Sequence, residues 1–129
     1  MNAKIWEGKI PLHEILESYY RNEDSSTGTV VIHAGRVKLP GKVKPDMTHV
    51  VLEPMVDDPA DGLRRIGNQA ENRFPVNRVQ IHHRLGKARP GENLLVVMVS
   101  TGKRGPAFDA CRWVVDEIKK EEIIRLIED

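Results

Sequence analysis

Two strand-like segments on either side of a proline–glycine turn constrain the fold of this chain more than any other feature. Residues 76–85 and 93–100 are rich in valine, isoleucine and leucine, and Pro90-Gly91 lies between them. Branched apolar residues favour strands, and two such runs separated by a turn predict a β-hairpin. The fold must therefore contain a sheet with at least one antiparallel pair of strands.

Helix-like and strand-like segments alternate along the rest of the chain. Further strands are predicted at residues 5–10, 29–37 and 49–55. Helices are predicted from Pro11 to Tyr19, from Pro59 to Phe74, and from the Lys103-Arg104 pair to Ile118. This order predicts an α+β fold with a mixed, mostly antiparallel sheet and helices on one side.

Length and charge limit the functions open to the chain. Its 129 residues suit one domain, residues 1–129, and no segment approaches the length of a membrane span. Twenty basic against 19 acidic residues give a net charge of +1, and only 5% of residues are aromatic. Neither nucleic acid nor a membrane is therefore expected as a partner, and any anion must be bound by a local cluster of cations.

The cysteine content favours a reducing compartment. Cys111 is the single cysteine, which excludes an internal disulfide and argues against a thiolate metal site. It falls with Phe108, Val115 and Ile118 on the apolar side of the last predicted helix, so we expect a buried, unreactive thiol. The first residues lack the apolar core of a signal peptide, and the cytoplasm is the expected location.

Lys103 and Arg104 stand at the start of the last predicted helix, directly after an apolar strand. Free N–H groups and the positive end of the helix dipole favour anions there, so the pair predicts a phosphate or carboxylate site. Lys119 lies about fifteen residues further on, roughly 22 Å along a straight helix. Either the helix begins later, or another segment or a second copy of the chain completes a site that contains all three cations.

Residues 36–44, here called the basic segment, alternate basic residues with others. In an extended chain this alternation places Arg36 and Lys38 on one face. Two interpretations stay open from spacing alone. The segment is either a solvated, flexible loop or a loop that closes over an anionic ligand.

The Lys119-Lys120 pair is also open to two interpretations. A neighbouring ammonium disfavours protonation of an amine, which suits a nucleophile or a proton donor. Cations at the C-terminus of a helix also stabilise the helix by about 0.3–1 kcal/mol.

The histidines form no recognisable metal motif. His82 and His83 are adjacent on a predicted strand, so their side chains should point to opposite faces. His33 and His49 are isolated and are expected to be structural. The sequence also lacks a glycine-rich nucleotide loop and a Gly-x-Ser-x-Gly elbow, so no metal or cofactor is expected.

Several short motifs occur in one order along the chain. They are Gly28 to Lys38, His83 to Gly86, Pro90 to Glu92, Arg104, Ala107-Phe108, Asp116 and Lys119. Their order and spacing resemble the large subunit of molybdopterin synthase over residues 28–119. The resemblance implies that family's α/β hammerhead fold and its homodimer.

The resemblance also implies a sulfurtransferase activity. In that family a small ubiquitin-like sulfur-carrier subunit inserts its C-terminal thiocarboxylate into the large subunit, which gives a heterotetramer. Sulfur then passes to cyclic pyranopterin monophosphate and forms the molybdopterin dithiolene. The implied site consists of Lys119 as the catalytic lysine and of the substrate-binding residues Arg36, Val37, Lys38, Lys103 and Arg104.

The chain departs from the family's pattern at three positions. Lys38 stands where the family usually has arginine, and Lys103 stands where it usually has histidine. Leu126 takes the place of a second pocket lysine, and Arg125 is the candidate substitute for substrate binding. These changes motivate a second hypothesis, a non-catalytic homologue that binds the carrier or a regulatory partner.

The last residues differ from the family as well. Ile123, Ile124 and Ile127 suggest a hydrophobic helical end to the chain.

Overall fold

The computed structural model describes residues 2–129 and contains two β-sheets and three helices. In chain order the elements are β1 (Ala3–Trp6), α1 (Leu12–Arg21), β2 (Thr29–Arg36), β3 (Val50–Pro54), α2 (Pro59–Arg73), β4 (Arg78–Arg84), β5 (Gly86–Ala88), β6 (Asn93–Thr101), α3 (Arg104–Ile118) and β7 (Ile124–Glu128).

The larger sheet has the strand order β1-β4-β6-β2. β4 and β6 pair antiparallel, with Ile81 opposite Val97, and this confirms the predicted hairpin pairing. β2 also pairs antiparallel with β6, whereas β1 runs parallel to β4. The α+β class and the mostly antiparallel pairing are therefore confirmed.

A second sheet, with the order β5-β3-β7, contains the end of the chain. Its strands pair antiparallel, and Leu126 of β7 lies opposite Leu52 of β3. The prediction of a hydrophobic helical end at Ile123, Ile124 and Ile127 is therefore wrong. A short apolar run fits either a helix or a strand, and pairing with β3 decides in favour of the strand.

The helices cover both faces of the larger sheet, not one side as predicted. α2 and α3 bury Leu63 and Val114 against the face that carries Val97 of β6. α1 buries Tyr19 against the opposite face, which carries Met98. Because successive residues of β6 are both apolar and buried, each face of this strand needs its own cover.

A polar network fastens α1 to the sheet. The Ser100 hydroxyl donates to Oε2 of Glu23 at 2.6 Å, so the Tyr19 hydroxyl donates to Oγ of Ser100 at 2.5 Å. Nη2 of Arg78 donates to the Tyr19 carbonyl oxygen at 2.6 Å, and the guanidinium lies 3.6 Å from the centre of the Tyr19 ring. The pKa of Tyr19 is raised, chiefly by burial.

The apolar side of α3 differs from the predicted one at a single position. Cys111 and Ile118 are buried as expected, but Phe108 is 56% exposed. Burial raises the pKa of the Cys111 thiol to about 11, so the thiol is protonated at neutral pH. None of the helices within residues 2–129 has the length and apolar character needed to span a lipid bilayer.

Candidate functional site

A cleft of about 390 Å³ opens where the end of β2, the basic segment, the end of α3 and β7 meet. The predicted site residues Arg36, Val37, Lys38 and Lys119 all line it. Apolar side chains from the two sheets form much of the remaining wall, namely Val50, Leu52, Leu94, Leu95, Ile124 and Leu126. The fold therefore brings the end of α3 to the end of β2 within one chain.

Local structure explains the arrangement at the end of β2. Val37 is buried with Met47 and Val50, and its N–H donates to the Glu92 carbonyl oxygen at 3.0 Å. This anchor leaves Arg36 and Lys38 exposed on either side of it, in the alternation expected of an extended chain. Nε of Arg36 donates to the Gly91 carbonyl oxygen at 3.1 Å, which orients the guanidinium at the rim.

The two adjacent lysines at the end of α3 differ in their surroundings. Lys119 is the C-cap residue of the helix and lines the cleft, and within residues 2–129 no carboxylate lies within ion-pair distance of its ammonium. Lys120 instead pairs with Glu117 at 2.6 Å. The hydrogen bond to this carboxylate raises the pKa of Lys120, opposite to the effect expected from a neighbouring ammonium.

Two histidines that the sequence analysis treated as structural lie in the cleft wall. His33 and His83 both line the cleft. The pKa of His33 is lowered by burial and by the charge of Lys119, and its buried Nε2 has no hydrogen-bond partner within residues 2–129. Burial lowers the pKa of His83 to about 4. Both imidazoles are therefore neutral near pH 7 and can accept or donate hydrogen bonds there.

The sequence signal that could have placed these histidines in the cleft wall is the alternation of side chains along a strand, in which every second residue faces the same side. His33 lies two residues before Gly35, which also lines the cleft, so both face the same side of β2. His82 and His83 point to opposite faces as predicted, because His82 accepts from Nε1 of Trp6 on the α1 side. Within residues 2–129 no group of three or more His, Cys, Asp or Glu side chains is arranged to hold a metal ion.

Sequence reasoning also missed a carboxylate at the far end of β7. Glu128 lines the cleft and accepts hydrogen bonds from the backbone N–H groups of Lys42, Val43 and Lys44, each at 2.7 Å. These bonds, with that from Lys44 the largest contributor, lower the pKa of Glu128. The basic segment is therefore tied to the C-terminal strand, and no local motif in the sequence indicates this contact.

Lys103 and Arg104 lie outside this cleft. Lys103 is the N-cap residue of α3 and Lys119 is its C-cap residue, so the two stand at opposite ends of the helix, roughly 24 Å apart along its axis. Because α3 begins at Arg104, the alternative of a helix that starts later is excluded.

Arg125 also points away from the cleft. Its Nη2 donates to Oε2 of Glu53 at 3.2 Å, whereas the neighbouring Leu126 lines the cleft. Adjacent residues of a strand face opposite sides, so the position that carries leucine is the one that faces inward. The predicted substitution of Arg125 for a pocket lysine therefore has no support from this geometry.

Comparison with known sequences relates the chain to one family. The family model described as MoaE protein matches residues 5–121. A molybdopterin synthase catalytic subunit from Pyrococcus abyssi is 40% identical over 99 residues, which are 74% of this chain and 64% of the relative. The corresponding subunit from Nostoc sp. is 34% identical over 103 residues, 75% of this chain and 59% of the relative. The chain thus spans less than two thirds of the length of these two relatives.

Further relatives cover the chain more completely. The molybdopterin synthase catalytic subunit of Escherichia coli is 31% identical over 117 residues, 91% of this chain and 77% of the relative. A crystal structure of molybdopterin synthase from Staphylococcus aureus superposes with a TM-score of 0.84 at 21% identity, covering 98% of this chain and 89% of that one.

A complex of subunits 1 and 2 of the molybdopterin-converting factor from Helicobacter pylori shares the fold too. It has a TM-score of 0.80 at 15% identity and covers 98% of this chain and 83% of that one. The matched family model extends over most of the chain, and the E. coli relative is matched over most of its own length. The chain therefore belongs to the MoaE protein family.

Proposed function

We propose that this protein is the catalytic subunit of a molybdopterin synthase. It transfers sulfur from the C-terminal thiocarboxylate of a small ubiquitin-like carrier to cyclic pyranopterin monophosphate and so forms the molybdopterin dithiolene. One observation carries the proposal: the ammonium of Lys119, which has no ion-pair partner within residues 2–129, shares a cleft with Arg36 and Lys38.

The charges of the cleft suit the two reactants. The substrate carries a cyclic phosphate and the carrier tail carries a thiocarboxylate, so two anions must be held near each other. Lys38 and Arg36 at the rim bind the phosphate, and the ammonium of Lys119 stabilises negative charge on the thiocarboxylate while sulfur is transferred. The apolar wall formed by Leu52, Ile124 and their neighbours suits the uncharged part of an extended peptide tail, which leads to the terminal thiocarboxylate.

The cations outside the cleft are assigned to a second copy of the chain. Lys103 and Arg104 are exposed at the other end of α3. In a homodimer with two-fold symmetry, each copy can present this pair to the cleft of the other. Two carriers bound to such a dimer make a heterotetramer in the cytoplasm.

A second candidate function is supported by the composition of β7. Leu126 faces the cleft while Arg125 faces away, so β7 contributes no cation to the cleft wall. A non-catalytic homologue that still binds the carrier would have such a site. Molybdopterin formation by the unmodified protein excludes this candidate.

The decisive experiment compares the two adjacent lysines. With thiocarboxylated carrier and cyclic pyranopterin monophosphate, Lys119→Ala should lower turnover by about 10²–10³-fold, the effect of removing one preorganised charge-stabilising group. Its Tm should match the parent, since Lys119 is exposed. Lys120→Ala is the matched control and should keep turnover near that of the parent.

Two outcomes contradict the proposal in different ways. Full turnover by Lys119→Ala removes the catalytic role of this lysine. Carrier binding by the unmodified protein without any turnover supports the non-catalytic candidate instead.

A further inference from the structure

The cleft has one more lysine than the sequence analysis assigned to it. Lys42 lines the cleft together with Lys38 and Lys119. Within residues 2–129 none of these three ammonium groups lies within 4.0 Å of a carboxylate oxygen, whereas Lys9, Lys120 and six arginines have such partners. Three lysines around one cleft thus keep their charge available to an anion.

The backbone around Lys42 is held in place from a distant part of the chain. Oε2 of Glu128 accepts from the N–H of Lys42, and Oε1 accepts from the N–H groups of Val43 and Lys44. Gly41 allows this close approach, because a Cβ at that position would meet the Glu128 carboxylate at 2.6 Å. β7 itself is fixed by pairing with β3, where Glu128 lies opposite Val50.

This arrangement also determines the charge that a ligand meets. The three N–H groups bind the oxygens of Glu128, and the Lys42 ammonium lies beyond 4.0 Å from any carboxylate oxygen within residues 2–129, although its charge contributes to the lowered pKa of Glu128. The backbone of Lys42 is fixed, but its side chain is flexible, so its ammonium is a mobile point charge at the cleft.

We propose that Lys42 is a further substrate-binding residue, which contacts the anionic group of the substrate, and that Glu128 is the residue that positions it. The inference rests on the function proposed above, in which the substrate carries a phosphate. It adds a binding group from the basic segment to the cleft and gives a role to the contact between this segment and β7.

Lys44 supplies a matched control on the same segment. It has the same charge, and its N–H is bound by the same carboxylate, but it does not line the cleft. Lys42→Met should raise the KM and the Kd for cyclic pyranopterin monophosphate by about tenfold, the effect of one lost charge-assisted contact, and leave kcat within about twofold. Lys44→Met should leave all three constants unchanged.

The positioning role of Glu128 is tested with Glu128→Gln. Its amide group cannot accept at both positions, so the segment should loosen, trypsin should cut faster after Lys42, and KM should rise as in Lys42→Met. Adding Lys42→Met to Glu128→Gln should raise KM no further, because both changes remove one contact. A lower Tm with the parent KM would show a structural role alone and overturn the positioning role.

The results separate this inference from the proposed function. If Lys42→Met and Lys44→Met both form product with the same KM for the substrate, the inference is overturned, while the proposed sulfurtransferase function still holds. If the parent protein binds the substrate without turning it over, and Lys42→Met binds the substrate more weakly, the inference is supported and the sulfurtransferase is overturned. Failure of the parent protein to bind the substrate overturns both.

Discussion

At the scale of single residues, the surroundings decide what a side chain can do. Lys119 and Lys120 are neighbours in sequence, yet only Lys119 lines the cleft, while Lys120 is paired with Glu117. Local sequence left two roles open for this pair, catalysis or stabilisation of the helix end. The structure separates the two residues: Lys119 is the C-cap residue of α3 and lines the cleft, whereas Lys120 follows it in a turn and forms an ion pair with Glu117.

The buried histidines make the stability of the protein depend on pH. The pKa of His83 is lowered from 6.5 to about 4, chiefly by burial. Between these two values the unfolded chain binds a proton that the folded chain excludes, so the free energy of unfolding should fall as the pH is lowered through this range. His82, whose pKa is also lowered to about 4, acts in the same direction.

We therefore expect His83→Gln to flatten the pH dependence of stability. Between pH 6.5 and about 4, the free energy of unfolding should fall less steeply in this variant than in the parent. The parent should lose on the order of 1–3 kcal/mol more stability over this range than the variant. Urea unfolding at several pH values measures this, and the exposed His13→Gln is the control. An unchanged slope in His83→Gln would contradict the prediction.

At the scale of elements, β6 requires cover on both of its faces, and a polar network completes the cover on the α1 side. The Ser100 hydroxyl joins Tyr19 of α1 to Glu23; Ser100 and Tyr19 are buried, and the bond to Glu23 is partly buried. Removing a hydroxyl from such a network leaves its partners without hydrogen bonds in the interior.

Ser100→Ala should therefore lower the free energy of unfolding by about 1–3 kcal/mol. The cost arises because Tyr19 and Glu23 keep their polar groups but lose their shared partner. Equilibrium unfolding in urea measures the change, with the exposed Ser25→Ala as control, expected within about 0.5 kcal/mol of the parent. Equal stabilities of the two variants would show that the network contributes nothing.

Most elements were predictable because their signals are local. The continuous run of branched apolar residues in β6, the turn at Pro90-Gly91 and the proline at the start of α2 are signals carried by neighbouring residues. β7 was not predictable in this way, since its five residues are too short to show a period by themselves. The position of α1 on the second face was missed because apolar spacing shows which side of a helix is buried but not against which surface.

At the scale of the whole molecule, the proposed site needs two copies of the chain. One copy brings Lys38 and Lys119 into one cleft but leaves Arg104 at the other end of α3. A straight helix of this length cannot close that gap, and the C-terminal strand folds back onto β3 instead of towards Arg104.

Mixing two inactive variants should therefore restore turnover. Lys119→Ala and Arg104→Ala are each expected to be inactive as homodimers, but a mixed dimer contains one site with both residues intact. An equal mixture that exchanges subunits freely should recover about a quarter of the parent turnover, because half of the dimers are mixed and each has one intact site of two. Turnover of the mixture no greater than the sum of the separate variants would contradict a shared site.

The sequence by itself determined the classes and order of most elements, the hairpin pairing, the buried thiol at Cys111 and the cations at the end of β2. Each depends on periodicity, turn chemistry or composition, which act over a few residues. Only the tertiary structure decided which cations share a cleft. Lys119 lines the same cleft as Lys38 because α3 packs beside β2. Glu128 binds the N–H of Lys42, 86 residues away, because β7 pairs with β3. Contacts between segments so far apart leave no local pattern, since the packing of other elements creates them.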